Sequence, residues 1–490
     1  MKLTNIYELL NENNLIIDSN VNNVDNCISY LSYNSKDIEK DTLFFCKGLN
    51  YKEEYLDMAI EKGAICYISE KKYNENINYI IVNDIRLAMA LIADSFYNKV
   101  YNDIETIGIT GTKGKTTVTY FIKNILDNYA KEETAVISTV ETITGVRHEE
   151  SHLTTPEAIE LHKFFNEIKQ SKLKYLTMEV TSQAYKTKRV QNVKFKHGMF
   201  LNVSEDHISD AEHPDFNDYL NCKLQLIANC NDMVINSDME EIKIVKDECI
   251  KNNVQYITYG SNENSDYRYF NVRRDDDGFI FTVENIKTGF KDDFKISMQG
   301  RFNVENAVAA IAMCKVLNVS NEAIKEGLYK TSVQGRMNVY EKDGITVIVD
   351  YAHNKLSFSK LFESIKLDYP NRKIISLGGG PGNKAYKRRE DFAQIVGKYS
   401  DYIYLTAEDP QFETVEDICK DIIKYLPENV EYEIVEDRTQ AVEKAINNAN
   451  VGDVIVLLAK GEEDYQKVKG VFTYFESDIK IVKRLLEIKD

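Results

Sequence analysis

Ile107-Gly108-Ile109-Thr110-Gly111-Thr112-Lys113-Gly114-Lys115-Thr116-Thr117 is the stretch that decides the fold. A short β-prone run leads into a loop bracketed by two glycines, and a helical pattern opens behind Gly114. Strand, glycine-lined turn and helix N-terminus in that order make a phosphate cradle. Backbone amides close on phosphate oxygens, and the helix dipole favours negative charge. In such a cradle Lys115 reaches the β- and γ-phosphates, and the Thr116 hydroxyl is placed for Mg²⁺. Gly111, Thr112, Lys113, Gly114 and Thr117 complete the candidate ATP loop. The strict motif would have glycine where Ile109 stands, so the Gly-Lys-Thr end carries the match. The alternative is a plain strand-to-helix turn.

Outward from this loop, strands (Thr106–Ile109, Thr134–Ser138, Tyr175–Val180, His197–Val203, Asp232–Ile235) alternate with helical segments. That alternation predicts a doubly wound parallel sheet in a central unit, residues 101–333. From Tyr256 to Met298 it breaks into an antiparallel β pattern. Residues 1–100 predict a smaller α/β unit around the strands Asp41–Cys46 and Ala64–Ile68. Residues 334–490 predict a third, Rossmann-like α/β unit with strands near Ile345–Val349, Lys373–Leu377, Tyr402–Leu405 and Val454–Leu458. Three units suit 490 residues at about 150 residues per domain. The fold class is α/β.

Composition narrows the function. A net charge of −17 argues against a phosphate-tracking nucleic-acid surface. No apolar run approaches the ~20 residues of a membrane span, so no membrane insertion is expected. The first residues lack the basic-then-apolar layout of a secretion signal. Eight scattered cysteines without a Cys-x-x-Cys pair predict a reducing cytoplasm, with neither a disulfide framework nor a thiolate zinc site.

Further segments follow the loop: Thr154-Thr155-Pro156-Glu157, Met178-Glu179-Val180-Thr181-Ser182-Gln183-Ala184, Asn202-Val203-Ser204-Glu205-Asp206-His207, Gly300-Arg301-Phe302-Asn303-Val304-Glu305-Asn306, Gly335-Arg336-Met337, Asp350-Tyr351-Ala352-His353 and Lys460-Gly461-Glu462-Glu463. With the loop, these segments resemble the Mur ligases in order and across essentially the whole chain. The likeness is strongest to the branch that adds the third residue of the peptidoglycan stem. It implies an ATP-dependent amide ligase working through an acyl phosphate. Its substrates would be UDP-N-acetylmuramoyl-L-alanyl-D-glutamate and a small diamino acid.

The resemblance also assigns roles. Lys115, Glu179, His207 and Lys223 are implied as catalytic. Thr116, Glu179, His207 and Lys223 are implied at two Mg²⁺ sites, with Lys223 carrying a carbamate formed from CO₂. Taken alone, Lys223 is an ordinary helical lysine, Glu179 ends a predicted strand, and a single His is more often structural. Asn306 is implied at the adenine base, Arg336 near phosphate or ribose, and Asp350 at the ribose; the bland alternative is that Asn306 caps a helix and Asp350 ends a strand. Ser35, Thr154, Thr155, Thr181 and Arg189 match positions that hold the uridine-linked muramoyl-dipeptide. Asn34 and Lys36 depart from the usual Asp-Ser-Arg around Ser35.

Amine choice rests on the third unit. Relatives that take meso-diaminopimelate carry an Asp-Asn-Pro-Arg motif and a second arginine in a Gly-Gly-Asp-Arg-Asp loop. Here Gln411 and Asn383 stand at those two places. Both bidentate carboxylate clamps are thereby lost. Glu408, Asp409 and Glu463 remain as an acidic set for an ammonium tip, which favours L-lysine, with ornithine or another amine as alternatives. The rival readings are a Mur-like ligase outside the cell wall, such as a folylpolyglutamate synthetase, and a catalytically inactive nucleotide-binding regulator.

Overall fold

Three sheets divide the chain. The computed structural model describes residues 1–488 except 23–25, 49–50, 207, 210–211, 276 and 334. The first sheet orders its strands Ile16–Asn20, Asn78–Val82, Ala64–Ser69, Thr42–Phe45 and Tyr30–Ser32; only the Ile16–Asn20 edge is antiparallel.

The second sheet has eleven strands, and its middle is parallel: Ala135–Ile137, Tyr175–Glu179, Glu105–Thr110, Phe195–Phe200, Cys230–Asn236 and Gln255–Gly260. Strands covered on both faces have no need to alternate. Tyr175–Glu179 is accordingly buried at every residue. Two antiparallel extensions flank this core, Glu141–Ile143 with His148–Glu150 on one side and Tyr267–Asp275, Gly278–Asn285 and Phe290–Ile296 on the other. The sequence reading started the antiparallel part at Tyr256. The chain instead pairs Gln255–Gly260 parallel to Cys230–Asn236 and to Tyr267–Arg268, and antiparallel pairing starts where Arg268 meets Glu284. The short apolar run Tyr256–Tyr259 carries no direction of its own, so the crossover helix Ile242–Lys251 before it sets the parallel sense.

The third sheet runs Asn338–Lys342, Ile345–Asp350, Val454–Leu458, Ile374–Gly378, Tyr402–Leu405 and Glu431–Ile434, parallel except for its first pair. A separate hairpin, Tyr465–Val468 with Val471–Tyr474, follows.

Two helices frame what comes next. Lys115–Ala130 buries Val118, Phe121, Ile122 and Ile125 in the same core as Phe302–Val316, which buries ten of its residues. The C-terminal ends of the parallel strands in the second and third sheets border a common cavity, the usual place for ligands in open α/β sheets.

Candidate active site

The loop after Glu105–Thr110 is tied down before any ligand is considered. The Thr112 amide donates to the Asn202 carbonyl at 3.1 Å. The Asn202 side chain accepts from the Lys113 amide at 2.9 Å and returns a bond to the Lys113 carbonyl at 3.0 Å. Thr112 Oγ1 accepts from the Ser204 amide and lies 3.0 Å from the Tyr219 hydroxyl. Gly114 enters the helix at φ +86°, and a Cβ there would stand 2.5 Å from Asn306 Oδ1. Only glycine meets both demands. The bland alternative, that Asn306 caps its helix, fails. It lies one turn inside Phe302–Val316, donates to Asn303 Oδ1 at 3.0 Å, and touches the loop instead.

Positive charge gathers here. Lys115 Nζ and Lys223 Nζ both donate to the Gly111 carbonyl, at 2.9 and 3.0 Å. Lys223 comes from the helix Phe216–Leu224, is 1% exposed, and lies 4.6 Å from the centre of the Tyr219 ring. Burial, reinforced by Lys115, holds its amine well below the usual lysine range. Burial also lowers Lys115, and it brings Lys113 down to about 7 against the opposing pull of Asp206. A polyanion entering the cavity would pull each of these amines back towards its ordinary range.

On the next strand, Glu179 is fully buried and its carboxylate accepts from the Thr139 amide at 2.9 Å and the Thr139 hydroxyl at 3.1 Å. Thr139 reaches Thr154 at 3.1 Å, while Thr155 donates to the Glu179 carbonyl at 2.9 Å and meets Thr181 at 3.3 Å. Arg189 donates to the Thr155 carbonyl at 3.1 Å and pairs with Glu157, which also binds Lys47 of the first unit at 2.6 Å.

The third sheet supplies the opposite wall. Asp350 ends its strand as expected, accepts from the Met337 and Ala352 amides, and has its carboxyl raised by burial. The Arg336 guanidinium stacks 4.6 Å from the centre of the Tyr351 ring. His353 Nε2 lies 3.1 Å from Lys113 Nζ, and burial keeps this imidazole neutral, well below its ordinary range.

A cavity of about 850 Å³ brings together Thr112 to Thr117, Thr154, Thr155, Glu179, Thr181, Arg189, Lys223, Asn306, Arg336 and Asp350. Ser35, Asn383, Glu408, Asp409, Gln411 and Glu463 lie off its wall. His207 lies outside the described residues. Ser35 sits in a turn where its carbonyl accepts from Lys62.

The acidic set of the third unit already surrounds an ammonium. Buried Lys460 donates to Glu463 at 2.6 Å and to Asp409 at 3.1 Å, and Glu463 also accepts from the Tyr351 hydroxyl at 2.9 Å. Glu408 has no such bond from Lys460, and burial, with Asp409 beside it, pushes its carboxyl up to about 7. Asn383 accepts from the Phe412 amide at 2.9 Å, and Gln411 is bonded through its backbone to the hairpin at Lys467 and Lys469. Both positions therefore shape a loop.

Two family models match this chain. Residues 109–314 match the Mur ligase middle domain, and residues 335–461 match the Mur ligase glutamate ligase domain. The chain is 37% identical over 469 residues to the UDP-N-acetylmuramoyl-L-alanyl-D-glutamate–L-lysine ligase of Enterococcus faecalis, covering 94% of this chain and 92% of that protein. The chain belongs to the Mur ligase family. A protein of the same name from Streptococcus agalactiae is 40% identical, with 93% of this Mur ligase and 92% of the relative covered. Among solved structures, a UDP-N-acetylmuramoyl-L-alanyl-D-glutamate–2,6-diaminopimelate ligase shares the fold with a TM-score of 0.65 at 21% identity, covering 99% of each chain.

Asp206, Arg388 and His353 are among the cavity residues that sequence reading did not single out. Asp206 and His353 lay inside quoted motifs, and an acid beside a candidate metal ligand was a usable signal. Arg388 lay in a basic run, Lys387-Arg388-Arg389, that reads as solvated helix surface.

Proposed function

We propose that this Mur ligase uses ATP to join L-lysine to UDP-N-acetylmuramoyl-L-alanyl-D-glutamate in the building of cell-wall peptide, a cytoplasmic reaction. The observation that carries the reading is the convergence of Lys115, Lys223, Glu179 and Arg336 on one cavity beside a glycine-lined loop. Residues 1–100 would hold the uridine nucleotide, 101–333 ATP, and 334–490 the amino acid. The L-lysine choice draws on the relatives' names and on Gln411 and Asn383, where no arginine offers a second carboxylate clamp.

In the first step a carboxylate oxygen of the dipeptide attacks the γ-phosphorus. The bond to the β–γ bridging oxygen breaks, ADP leaves, and an acyl phosphate forms. The lysine amine then attacks the acyl carbon, the carbon–oxygen bond to phosphate breaks, and the amine proton passes to solvent. Lys115 and Arg336 hold the phosphate charge while Asn306 and Asp350 fix the nucleoside, so positioning and electrostatics carry the rate.

The donor set fits Mg²⁺ on one condition. Thr116 and Glu179 offer hard oxygens, but Lys223 as an ammonium would repel a cation. Burial biases the Lys223 amine towards its unprotonated form, the form that adds to CO₂, releasing one proton and leaving a carbamate with oxygen donors. Thr116, Glu179, His207 and carbamylated Lys223 would then hold the ion, which neutralises triphosphate charge when bound.

The test supplies UDP-N-acetylmuramoyl-L-alanyl-D-glutamate, ATP and Mg²⁺ with lysine, ornithine or meso-diaminopimelate, and measures phosphate release. Lysine should be fastest. Preference for diaminopimelate overturns the amine assignment, and no amine-dependent phosphate overturns the ligase reading.

A further inference from the structure

Asp206 is a carboxylate whose side chain is 2% exposed, on the connection between Phe195–Phe200 and Phe216–Leu224 of the central sheet. Among the described residues, three groups converge on it. Arg388 Nη2 donates to Oδ1 at 3.0 Å, Asn354 Nδ2 donates to Oδ2, and Lys113 Nζ stands 3.7 Å away. Lys113 belongs to the phosphate loop, whereas the other two belong to the third unit. Asn354 caps the helix Lys355–Asp368 in a capping box with Ser357, and Arg388 sits in the first turn of Lys387–Tyr399. One carboxylate thus gathers two helix starts of the third sheet and the loop of the second.

A charge can be buried this deeply only if its partners arrive with it. Two of the partners come from a different unit, so the burial of Asp206 is compensated only while the third unit is seated. Lys113 shares both the carboxylate and the neighbouring His353, so the same seating fixes where this loop lysine points.

We propose that Asp206 is a latch: a positioning residue that couples seating of the third unit to the arrangement of the phosphate loop. Its kinetic arm rests on the ligase reading; its scattering arm does not.

A double-mutant cycle tests it, with Asp206→Asn, Arg388→Met and both together. Turnover and KM for ATP are measured beside small-angle scattering of the full chain with Mg·ATP and UDP-N-acetylmuramoyl-L-alanyl-D-glutamate. Each single change should lower kcat by about 10- to 100-fold, and the double should be no worse than the worse single. KM for ATP should change less than kcat, and both singles should have a larger radius of gyration than wild type under the same ligands. Asn354→Ala removes the other third-unit partner of Asp206 and stands in if Asp206→Asn does not fold. Multiplicative losses in the double, or unchanged compactness in Arg388→Met and Asn354→Ala, overturn the latch. Loss of amine-dependent turnover in wild type with the compactness effect intact would overturn the ligase reading alone.

Discussion

Gly114→Ala asks whether the loop's shape is what holds the triphosphate. At φ +86° an L-residue in the left-handed region loses roughly 1–2 kcal/mol. The new methyl also stands 2.5 Å from Asn306 Oδ1, so the amide must swing away. That breaks the bond Asn306 donates to Asn303, worth about 1 kcal/mol. Together the change costs about 2–3 kcal/mol. If the loop keeps its form, the cost is a loss of global stability, read as a lower urea midpoint. If the loop relaxes, it appears as a roughly 30- to 150-fold weaker Mg·ATP affinity by titration calorimetry, since 1.4 kcal/mol is tenfold. The two losses should sum to the worked figure. Wild-type affinity and wild-type stability in the same variant would refute the reasoning, because neither strain nor contact would then exist.

Three further outcomes are expected. Glu408, raised to about 7, must be ionised to attract an ammonium, so KM for lysine should rise as pH falls below 7, by roughly tenfold per unit; Glu408→Gln should raise KM at pH 8 by about 10- to 100-fold and abolish the slope, and a flat wild-type profile counts against the assignment. Lys223→Ala should be almost inactive and partly rescued by small carboxylic acids, with absence of rescue counting against the carbamate. His162 is fully buried with neither ring nitrogen bonded, and burial lowers it to about 3, so the unfolded chain binds the extra proton as pH drops through 6.5. Stability should therefore fall between pH 7.5 and 5 by about 2 kcal/mol more in wild type than in His162→Leu, measured by urea unfolding, and parallel pH curves would refute it.

Legibility varied with how local the determinant is. The strand, loop and helix at 105–130 were readable because glycine placement and apolar runs act within a few residues. Asp350 at a strand end and Glu179 at another were readable for the same reason. The direction of Gln255–Gly260 was not, since parallel and antiparallel partners demand the same side chains. Nor was the role of Asn306, a generic helix residue until the loop glycine is seen against it. The acids Asp409 and Glu463 read as open ligands for an incoming ammonium. Lys460, adjacent in sequence to Gly461 and three residues before Glu463, is folded back between them.

By itself the sequence determined a three-unit α/β chain, a phosphate loop, and the residue types able to bind ATP and activate a carboxylate. Those follow from periodicity, backbone permissiveness and charge, which are properties of short segments. Only the tertiary structure decided that Lys113, Asp206, His353 and Arg388 share one buried cluster across two sheets, and that burial pulls the Lys223 amine below its usual range. Desolvation and pairing depend on what the rest of the chain packs around a side chain, and no stretch of sequence carries that on its own.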